Sequence, residues 1–352
     1  MADGPMQIRK LGHSVTIKDI ASHLNMAHST VSRALNDRSH ISSATKQRVK
    51  EAAEKLGYVA NLSARMIRGD AGLLVGLIIP DVQNDFYSSI SKELADRCRK
   101  AGLRMLLAIT DDDPETEQNE IRALLEARVS GVVATLTATP TSGTLTLLEQ
   151  IPSVQLVRRH AKLKSAAVCM ADVAGCQAAA EHLLALGHRN IAYVGTSKTI
   201  STGRDRLRGF LEAHKLRGVE PLAGGVELVP PRQEYGYDAI ARVLALKEKP
   251  TAIMIGSSEL TIGGLRAVRE AGLAVPGDVS LVGYGDPVWF DLLTPALTAV
   301  ALPVSALADS AAQQLFRQID QGQGDVPVKP LVHKITPNLV VRESTGPRKR
   351  RK

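Results

Sequence analysis

Two apolar patterns alternate over most of this 352-residue chain, and their alternation limits its fold more than any other feature. From Leu73 onward, short runs rich in Val, Ile and Leu are separated by segments with the 3.6-residue apolar period of a helix. Strands that alternate with helices form parallel sheets with helices on both faces. About ten such repeats exceed what one open sheet holds, so we expect two similar α/β subdomains.

The boundaries of these elements can be predicted from the same pattern. Strands are predicted at Leu73–Ile79, Arg104–Ile109, Gly131–Leu136, Val154–Val157, Ala167–Met170, Ile191–Gly195, Gly225–Val229, Ala252–Ile255 and Ser280–Val282. Helices are predicted at Tyr87–Ala101, Glu115–Ala127, Gly175–Leu186, Arg204–Lys215, Tyr235–Leu246 and Leu260–Ala271.

The N-terminal region has the pattern of three short helices. Thr16 is a candidate N-cap with Asp19 three residues later, and an apolar stripe at helical spacing follows as far as Leu24. After a break at Asn25-Met26, a second helix has an outward face of hydrogen-bonding side chains: His28, Ser29, Ser32 and Arg33. Two short helices of this kind are typical of a DNA-binding helix-turn-helix, although periodicity alone fits a helical hairpin equally well. A third helix is predicted from Ser42.

The net charge of +8 is concentrated at the two ends of the chain. Residues 1–70 contain eleven Lys/Arg and six Asp/Glu, and residues 348–352 are all basic. A basic headpiece on a near-neutral body fits a partner that carries phosphate groups. The basic tail at 344–352 is expected to be solvated and disordered.

Several function classes are disfavoured by motifs that the sequence lacks. No apolar run approaches the ~20 residues of a membrane helix, and the N-terminus does not resemble a signal peptide, so we expect a soluble, cytoplasmic protein. Three cysteines without CxxC spacing are expected to be buried thiols, and no metal or cofactor is predicted. The absence of GxSxG, GxxxxGK[ST] and HExxH, and of GxGxxG after a strand, argues against an enzyme.

The N-terminal motifs resemble the headpiece of the LacI/GalR family of bacterial transcription regulators. The family patterns TIKDIA, TVSRxLN and Y.PN..AR correspond to Thr16–Ala21, Ser29–Asn36 and Tyr58–Ile67. The resemblance continues through almost the whole chain. It implies a small all-α helix-turn-helix headpiece and an α/β effector domain of two doubly wound parallel-sheet subdomains, similar to periplasmic binding proteins. It also implies a homodimer, or a higher oligomer, on a palindromic operator in double-stranded DNA.

The resemblance also implies domain boundaries. A flexible arm is expected at 1–14, the headpiece at 15–59, a hinge helix at 60–71, and the effector and dimerisation domain at 72–343. The N-subdomain would span about 72–170 and 302–328, and the C-subdomain about 171–301 and 329–343, with the last crossover near Pro327–Leu331. Without the resemblance, residues 60–71 fit a plain linker better.

Three groups of headpiece residues are implied to contact DNA. Base edges would be read by His28, Ser29 and Arg33, and an arginine is suited to a guanine O6/N7 pair. Phosphate contacts are expected from Thr16, Thr30, Ser32 and Asn36. In the hinge, the expected minor-groove residues are Asn61, Arg65 and Ile67, with Ile67 as an apolar wedge. Ala27 departs from the family, which often has a serine cap there.

Polar residues follow the predicted strands of the body, where doubly wound folds bind ligands. The candidate effector-binding residues are Asp81, Phe86, Arg158, Thr202, Arg204, Ser257, Asp286 and Trp289. The resemblance assigns the effector arginine of the family's (S/T)xxRxxGF stretch to Arg204. Gly285 replaces the first Asp of the family's G(F/Y)DD stretch, with Asp286 as a candidate substitute, and Ser257-Ser258 replaces its ND.

The chemistry of the effector is expected to follow from these departures. The loss of a carboxylate and an amide, while Arg158, Arg159, His160 and Arg204 remain, favours a sugar acid or another anionic metabolite over a neutral sugar. The sequence therefore predicts a repressor whose operator affinity is controlled by a sugar or sugar acid. The alternatives are an architectural DNA-binding protein without a ligand, a solute-binding protein, which would need a secretion signal, and an α/β enzyme.

Overall fold

A computed structural model describes residues 15–35, 40–58, 74–321 and 331–348. The chain divides into two compact units after residue 71. The first unit contains helices α1 (Ile17–Leu24), α2 (His28–Leu35) and α3 (Ser43–Lys55). Several predictions lie outside the described residues: the arm at 1–14, the hinge at 60–71, Asn36, Asn61, Arg65 and Ile67.

Helix α1 begins and ends as its sequence indicates. The backbone N–H and the hydroxyl of Thr16 both donate to Oδ2 of Asp19, each at 2.7 Å, which places a carboxylate at the positive end of the helix dipole. The helix ends at Asn25, whose φ of 52° is left-handed. Met26 then donates its backbone N–H to the carbonyl of Ala21 at 2.9 Å, which closes the helix end and starts the tight turn toward α2.

The three helices bury one small aliphatic core. Its buried members are Ile20, Ala21, Val31, Ala34, Val49, Ala52 and Ala53. They come from the apolar stripes of all three helices, so the prediction of a three-helix headpiece is confirmed. Small alanine side chains let the helices approach closely, but they bury little apolar area, and headpiece stability therefore depends on good helix ends.

The cap of α2 offers a direct test of this dependence. The carbonyl of Ala27 accepts the backbone N–H groups of Thr30 at 2.9 Å and Val31 at 3.1 Å, but its methyl side chain cannot cap the helix. We expect Ala27→Ser to raise the free energy of unfolding of the headpiece by about 1 kcal/mol. Urea unfolding of the full chain, followed by NMR signals from the headpiece, measures the change. Ala27→Val supplies bulk without an oxygen and should give no gain; an equal gain in both variants would exclude capping as the cause.

The second unit contains two parallel sheets and eight helices among the described residues. The strands are β1 (Leu74–Ile79), β2 (Arg104–Ile109), β3 (Val132–Ala134), β4 (Ser153–Leu156), β5 (Ala166–Met170), β6 (Ile191–Gly195), β7 (Val226–Leu228), β8 (Ala252–Ile255), β9 (Ser280–Tyr284), β10 (Thr298–Ala301), β11 (Val332–Ile335) and β12 (Asn338–Val340). The helices are α4 (Asp85–Lys100), α5 (Pro114–Glu126), α6 (Ser142–Glu149), α7 (Asp172–Ala185), α8 (Ser201–Leu216), α9 (Gln233–Ala245), α10 (Ser258–Glu270) and α11 (Val304–Gln321).

Each sheet has six strands and helices on both faces. The orders are β11-β5-β4-β3-β1-β2 and β12-β10-β9-β8-β6-β7, and the pairing is parallel except between β10 and β12. Helices α4 and α11 cover one face of the first sheet and α5 and α6 the other, whereas α9 and α10 cover one face of the second sheet and α7 and α8 the other. We call these two layered bodies the first and second subdomains. The predicted doubly wound fold is confirmed.

The C-terminal end of the chain differs from the expected boundaries. Strand β11 belongs to the first sheet, parallel to β5 with Val332 opposite Ala167, so the chain crosses between Ile335 and Asn338 rather than near 327–331. Residues 344–348 are also part of the second subdomain, because the backbone N–H of Leu281 donates to the Ser344 carbonyl at 2.9 Å. The expected disordered tail therefore does not begin at 344, and residues 349–352 lie outside the described part.

The elements absent from the sequence prediction are β10, β11, β12, α6 and α11. Strands β10 and β12 have only four and three residues, and most side chains of β11 are exposed. Helix α11 covers the first sheet through two leucines and four small side chains: Leu307, Ala308, Ser310, Ala311, Ala312 and Leu315. These residues recur with the helical period, so the sequence does carry a signal for this helix.

Three further observations concern the function classes considered above. Cys98, Cys169 and Cys176 are free thiols and all are buried. Over the described ranges, no helix is both long and apolar enough to cross a membrane. In the same ranges, no group of three or more His, Cys, Asp or Glu side chains is arranged to hold a metal ion.

Candidate functional site

The outer face of α2 presents polar side chains in the first unit. His28, Ser29 and Arg33 are exposed, whereas Val31 and Ala34 are buried against the other helices. Positions 29 and 33 lie opposite the inward stripe, whereas position 28 is exposed because it is the first residue of the helix. Three hydrogen-bonding side chains, one of them cationic, are thereby held on a rigid helix that can enter a groove of DNA.

A cleft of about 590 Å³ lies between the two subdomains of the second unit. It is bordered by loops that follow the carboxyl ends of β1, β2 and β4 in the first sheet, and of β6, β7, β8 and β9 in the second. Five residues expected from the sequence line it: Asp81, Phe86, Arg158, Thr202 and Ser257. Its other charged lining residues are Asp111, Asp112, Arg206, Arg232, Glu234 and Glu259.

Arg206 is held in this cleft by three different partners. Its Nε donates to Oδ1 of Asp172 at 2.8 Å, and its Nη1 donates to the carbonyl of Gly256 at 2.9 Å. The guanidinium lies 3.8 Å from the centroid of the Tyr284 ring, and the Tyr284 hydroxyl donates to Asp172. Nε and Nη1 are therefore engaged by the protein, and Nη2 is the group left to bind a ligand oxygen at the cleft.

The charge of the cleft is negative. Five carboxylates and three guanidinium groups line it, and two of the arginines are neutralised by partners. Arg158 is buried and bonds both carboxylate oxygens of Asp112, one of them at 3.0 Å. Burial raises the pKa of Glu259, and the nearby carboxylates of Asp81 and Asp85 raise it further, as expected where acidic groups crowd one another.

Comparisons with known proteins agree with this architecture. A family model described as "Bacterial regulatory proteins, lacI family" matches residues 16–61, and one described as "Periplasmic binding protein-like domain" matches residues 180–345. The HTH-type transcriptional regulator DegA of Bacillus subtilis (strain 168) is 29% identical over 94% of this chain and 98% of its own length. The crystal structure of the lac repressor dimer bound to operator and the anti-inducer ONPF matches with a TM-score of 0.83 at 25% identity, over 95% of this chain and 100% of that one.

The chain belongs to the LacI/GalR family. It is a DNA-binding transcriptional regulator with a helix-turn-helix headpiece and a periplasmic-binding-protein-like domain. A further solved relative, a LacI family transcriptional regulator from Enterococcus faecium with bound ribose, matches with a TM-score of 0.68 at 25% identity, over 78% of this chain and 100% of that one.

The family's arginine motif identifies Arg206 rather than Arg204. The structure places Arg204 outside the larger cleft, with its side chain 59% exposed and its Nε 3.5 Å from Oδ1 of Asp205. Arg206 stands three residues before Gly209-Phe210, which is the spacing of RxxGF. The spacing of the motif in the sequence is therefore sufficient to identify Arg206. The assignment to Arg204 lies two residues too early in the chain.

Asp286 and Trp289 also lie outside the lining of the larger cleft. Asp286 accepts hydrogen bonds from Nη1 and Nη2 of Arg342 at 2.8 and 3.0 Å, so its carboxylate is occupied within the second subdomain. Trp289 donates from Nε1 to Oδ2 of Asp85 at 2.9 Å. Because Asp85 begins α4 of the first subdomain, this hydrogen bond joins the two subdomains.

Sequence reasoning could not have found the acidic partners of the cleft. Asp112 reaches Arg158 across 46 positions of sequence, and Glu259 lies near Asp81 only because β8 and β1 end at the same opening between the sheets. Neither carboxylate belongs to a recognisable motif. Their positions follow from the packing of one sheet beside another.

Proposed function

We propose that this protein is a repressor whose affinity for a palindromic operator is controlled by a neutral sugar bound in the larger cleft. The observation that carries the proposal is the cleft itself, which both subdomains line and in which Arg206 is fixed by Asp172, Gly256 and Tyr284. The protein would act as a homodimer, without catalysis, in the cytoplasm where the chromosome lies.

The charge of the cleft supports a neutral sugar over a sugar acid. The earlier expectation of an acid depended on four basic or titratable residues, yet Arg159, His160 and Arg204 do not line this cleft. Arg158 does, but its charge is neutralised by Asp112. Carboxylates, hydroxyls and the wall formed by Phe86 suit a polyhydroxylated ligand, and a negative cleft repels an acid. The ribose bound to the Enterococcus faecium relative supports the same class.

On the DNA side, two α2 helices of a dimer would enter successive major grooves. We assign base contacts to His28, Ser29 and Arg33, which are all exposed on α2. Phosphate contacts are assigned to Thr16, Thr30, Ser32 and Asn36, and minor-groove contacts to Asn61, Arg65 and Ile67. The phosphate contacts fix register, and the base contacts supply the sequence preference.

Control by the sugar requires that it bind two arrangements of the subdomains with different affinity. A ligand in the larger cleft touches groups from both subdomains, so it stabilises the arrangement in which those groups are close together. The operator would favour one arrangement over the other, and the two binding events would then be coupled.

The decisive experiment is selection of genomic DNA with the purified protein, repeated with a panel of sugars, sugar acids and phosphorylated sugars. We expect the selection to recover one short palindrome. We also expect one neutral sugar to change the affinity of the protein for that palindrome at least tenfold. Binding without sequence preference, and without a responsive compound, would favour an architectural protein. A response to a sugar acid alone would overturn the assignment of a neutral ligand.

The hydrogen bond between Trp289 and Asp85 gives a smaller prediction. Trp289→Phe removes the Nε1 donor and keeps most of the ring packing on Phe290. Because the bond joins the subdomains and lies near the surface, its loss should lower sugar affinity by about two- to fivefold, corresponding to roughly 0.5–1 kcal/mol. Calorimetric titration of the variant with the sugar found above measures this change. An unchanged affinity would show that the bond does not stabilise the ligand-bound arrangement.

A further inference from the structure

A second cavity, of about 370 Å³, lies beside the larger cleft and shares part of its wall. Val157, Arg158, Met170 and Ile200 line both spaces. The second cavity extends from this wall toward the loop after β4, strand β11 and the start of α8. We propose that it is a separate binding site for the phosphate group of a small anionic metabolite.

The charge of the second cavity is opposite to that of the larger cleft. Its lining contains five basic side chains, Arg158, Arg159, Lys162, Arg204 and Lys334, and only two carboxylates, Asp172 and Asp205. Asp172 is engaged by Arg206, and Asp205 lies 3.5 Å from Arg204. Arg158 is bonded to Asp112, whereas Arg159, Lys162 and Lys334 have no carboxylate partner among the described residues. These three cations therefore face one small space that is poor in carboxylates, where an anion would relieve their mutual repulsion.

Polar groups without hydrogen-bond partners accompany these charges. Nδ1 of His160 is buried and has no hydrogen-bond partner among the described residues, although His160 lines the cavity. Helix α8 begins at the same wall, and its N-cap residue, Ile200, has no side chain that can cap the first backbone N–H groups. The positive end of that helix thus adds to the field of the cations, and Thr199 and Ser201 add hydroxyl groups.

The site is formed by both subdomains, as the larger cleft is. Arg159, Lys162 and Lys334 belong to the first subdomain, whereas Arg204 belongs to the second. The backbone N–H of Arg159 donates to the Ser201 hydroxyl at 3.0 Å, so the two walls are in direct contact. An anion bound by cations from both walls would hold the subdomains together at a place that the sugar does not occupy. The regulator would then respond to two inputs, which goes beyond the function proposed above.

The size of the cavity indicates the class of ligand. Pockets for small molecules typically have volumes of roughly 300–1,000 Å³, and a free phosphate ion fills only part of such a space. A phosphate group would make charge-assisted hydrogen bonds with the guanidinium and ammonium groups, and the remaining volume would accept a small organic portion. Inorganic phosphate and a phosphorylated metabolite therefore share the chemistry that this site recognises.

The test is calorimetric titration of the full-length protein with inorganic phosphate and with ribose 5-phosphate, at an ionic strength held constant with chloride. The variant Arg204→Ala/Lys334→Ala removes one cation from each subdomain, and both side chains are exposed, so its fold should be retained. Arg208→Ala is the matched control, because Arg208 lies on the same helix, is 54% exposed and does not line the cavity. Thermal unfolding of each protein verifies its fold.

We expect saturable binding of at least one probe to the wild-type protein and to Arg208→Ala, and at least a tenfold loss of affinity in the double variant. Tighter binding of ribose 5-phosphate than of phosphate would identify a phosphorylated metabolite as the ligand, and equal binding would identify the ion itself. Binding that never saturates above the chloride background would overturn the proposal. Equal losses in the double variant and in Arg208→Ala would also overturn it, because they would show a general effect of charge.

Discussion

Arg206→Ala is expected to abolish the response of operator binding to sugar and to destabilise the second unit by about 3–5 kcal/mol. Arg206 and Asp172 are both buried, so removal of the guanidinium leaves a carboxylate without its ionic partner in the interior. The same change removes the donor to the carbonyl of Gly256 and the cation above the Tyr284 ring. Urea unfolding and operator titrations with and without sugar measure the two effects.

Two further variants separate ligand binding from stability. Arg206→Lys keeps a positive charge beside Asp172 but loses the planar fork, so it should remain folded and still fail to respond to sugar. Arg208→Ala, on the exposed face of α8, should change the free energy of unfolding by no more than about 0.5 kcal/mol. A folded Arg206→Lys protein with an undiminished sugar response would show that the ligand is bound without this arginine.

Arg33→Ala should weaken operator binding by about 1–3 kcal/mol and relax the sequence preference at a single base pair. Arg33 is exposed on the outer face of α2, whose inward residues Val31 and Ala34 fix the orientation of the helix. An arginine held in this way can bond the O6 and N7 atoms of one guanine. Quantitative selection over all single-base variants of the operator, at one fixed salt concentration, measures both effects.

Arg48→Ala is the charge-matched comparison for this experiment. Arg48 is exposed on α3 rather than on α2, and its loss removes the same positive charge from the headpiece. We expect Arg48→Ala to weaken binding to all sequences equally, if at all, through the phosphate field. If Arg33→Ala gave that same uniform pattern, Arg33 would be a phosphate contact rather than a base contact.

Local sequence was sufficient for the headpiece. The pair Thr16 and Asp19 lies within one helical turn, and the left-handed Asn25 ends α1 through hydrogen bonds to nearby carbonyls. In all three helices the inward apolar residues recur with the 3.6-residue period of a helix, which is visible in the sequence. Because each of these interactions joins residues a few positions apart, the sequence predicted both the helices and their inward faces.

The parallel sheets were predictable for a related reason. Central strands such as β1 and β8 are buried along their whole length. Each therefore consists of consecutive apolar residues, which the sequence shows directly. Strand β11 has no such run, since three of its four side chains are exposed, and the sequence assigned it to the wrong subdomain. The position of β11 depends on its pairing with β5, about 160 residues earlier in the chain.

The sequence by itself determined the fold class, the exposed polar face of α2 and the arginine motif that contains Arg206. Only the tertiary structure decided the charges of the two spaces between the subdomains. Arg158 and Arg206 count as free cations in a sequence, but Asp112 and Asp172 neutralise them in the fold. Arg204 and Lys334, 130 positions apart, come to line one cavity. Local periodicity indicates which residues are buried in the core. The carboxylate that pairs with a given arginine depends instead on which strand ends, distant in the sequence, come together in the fold.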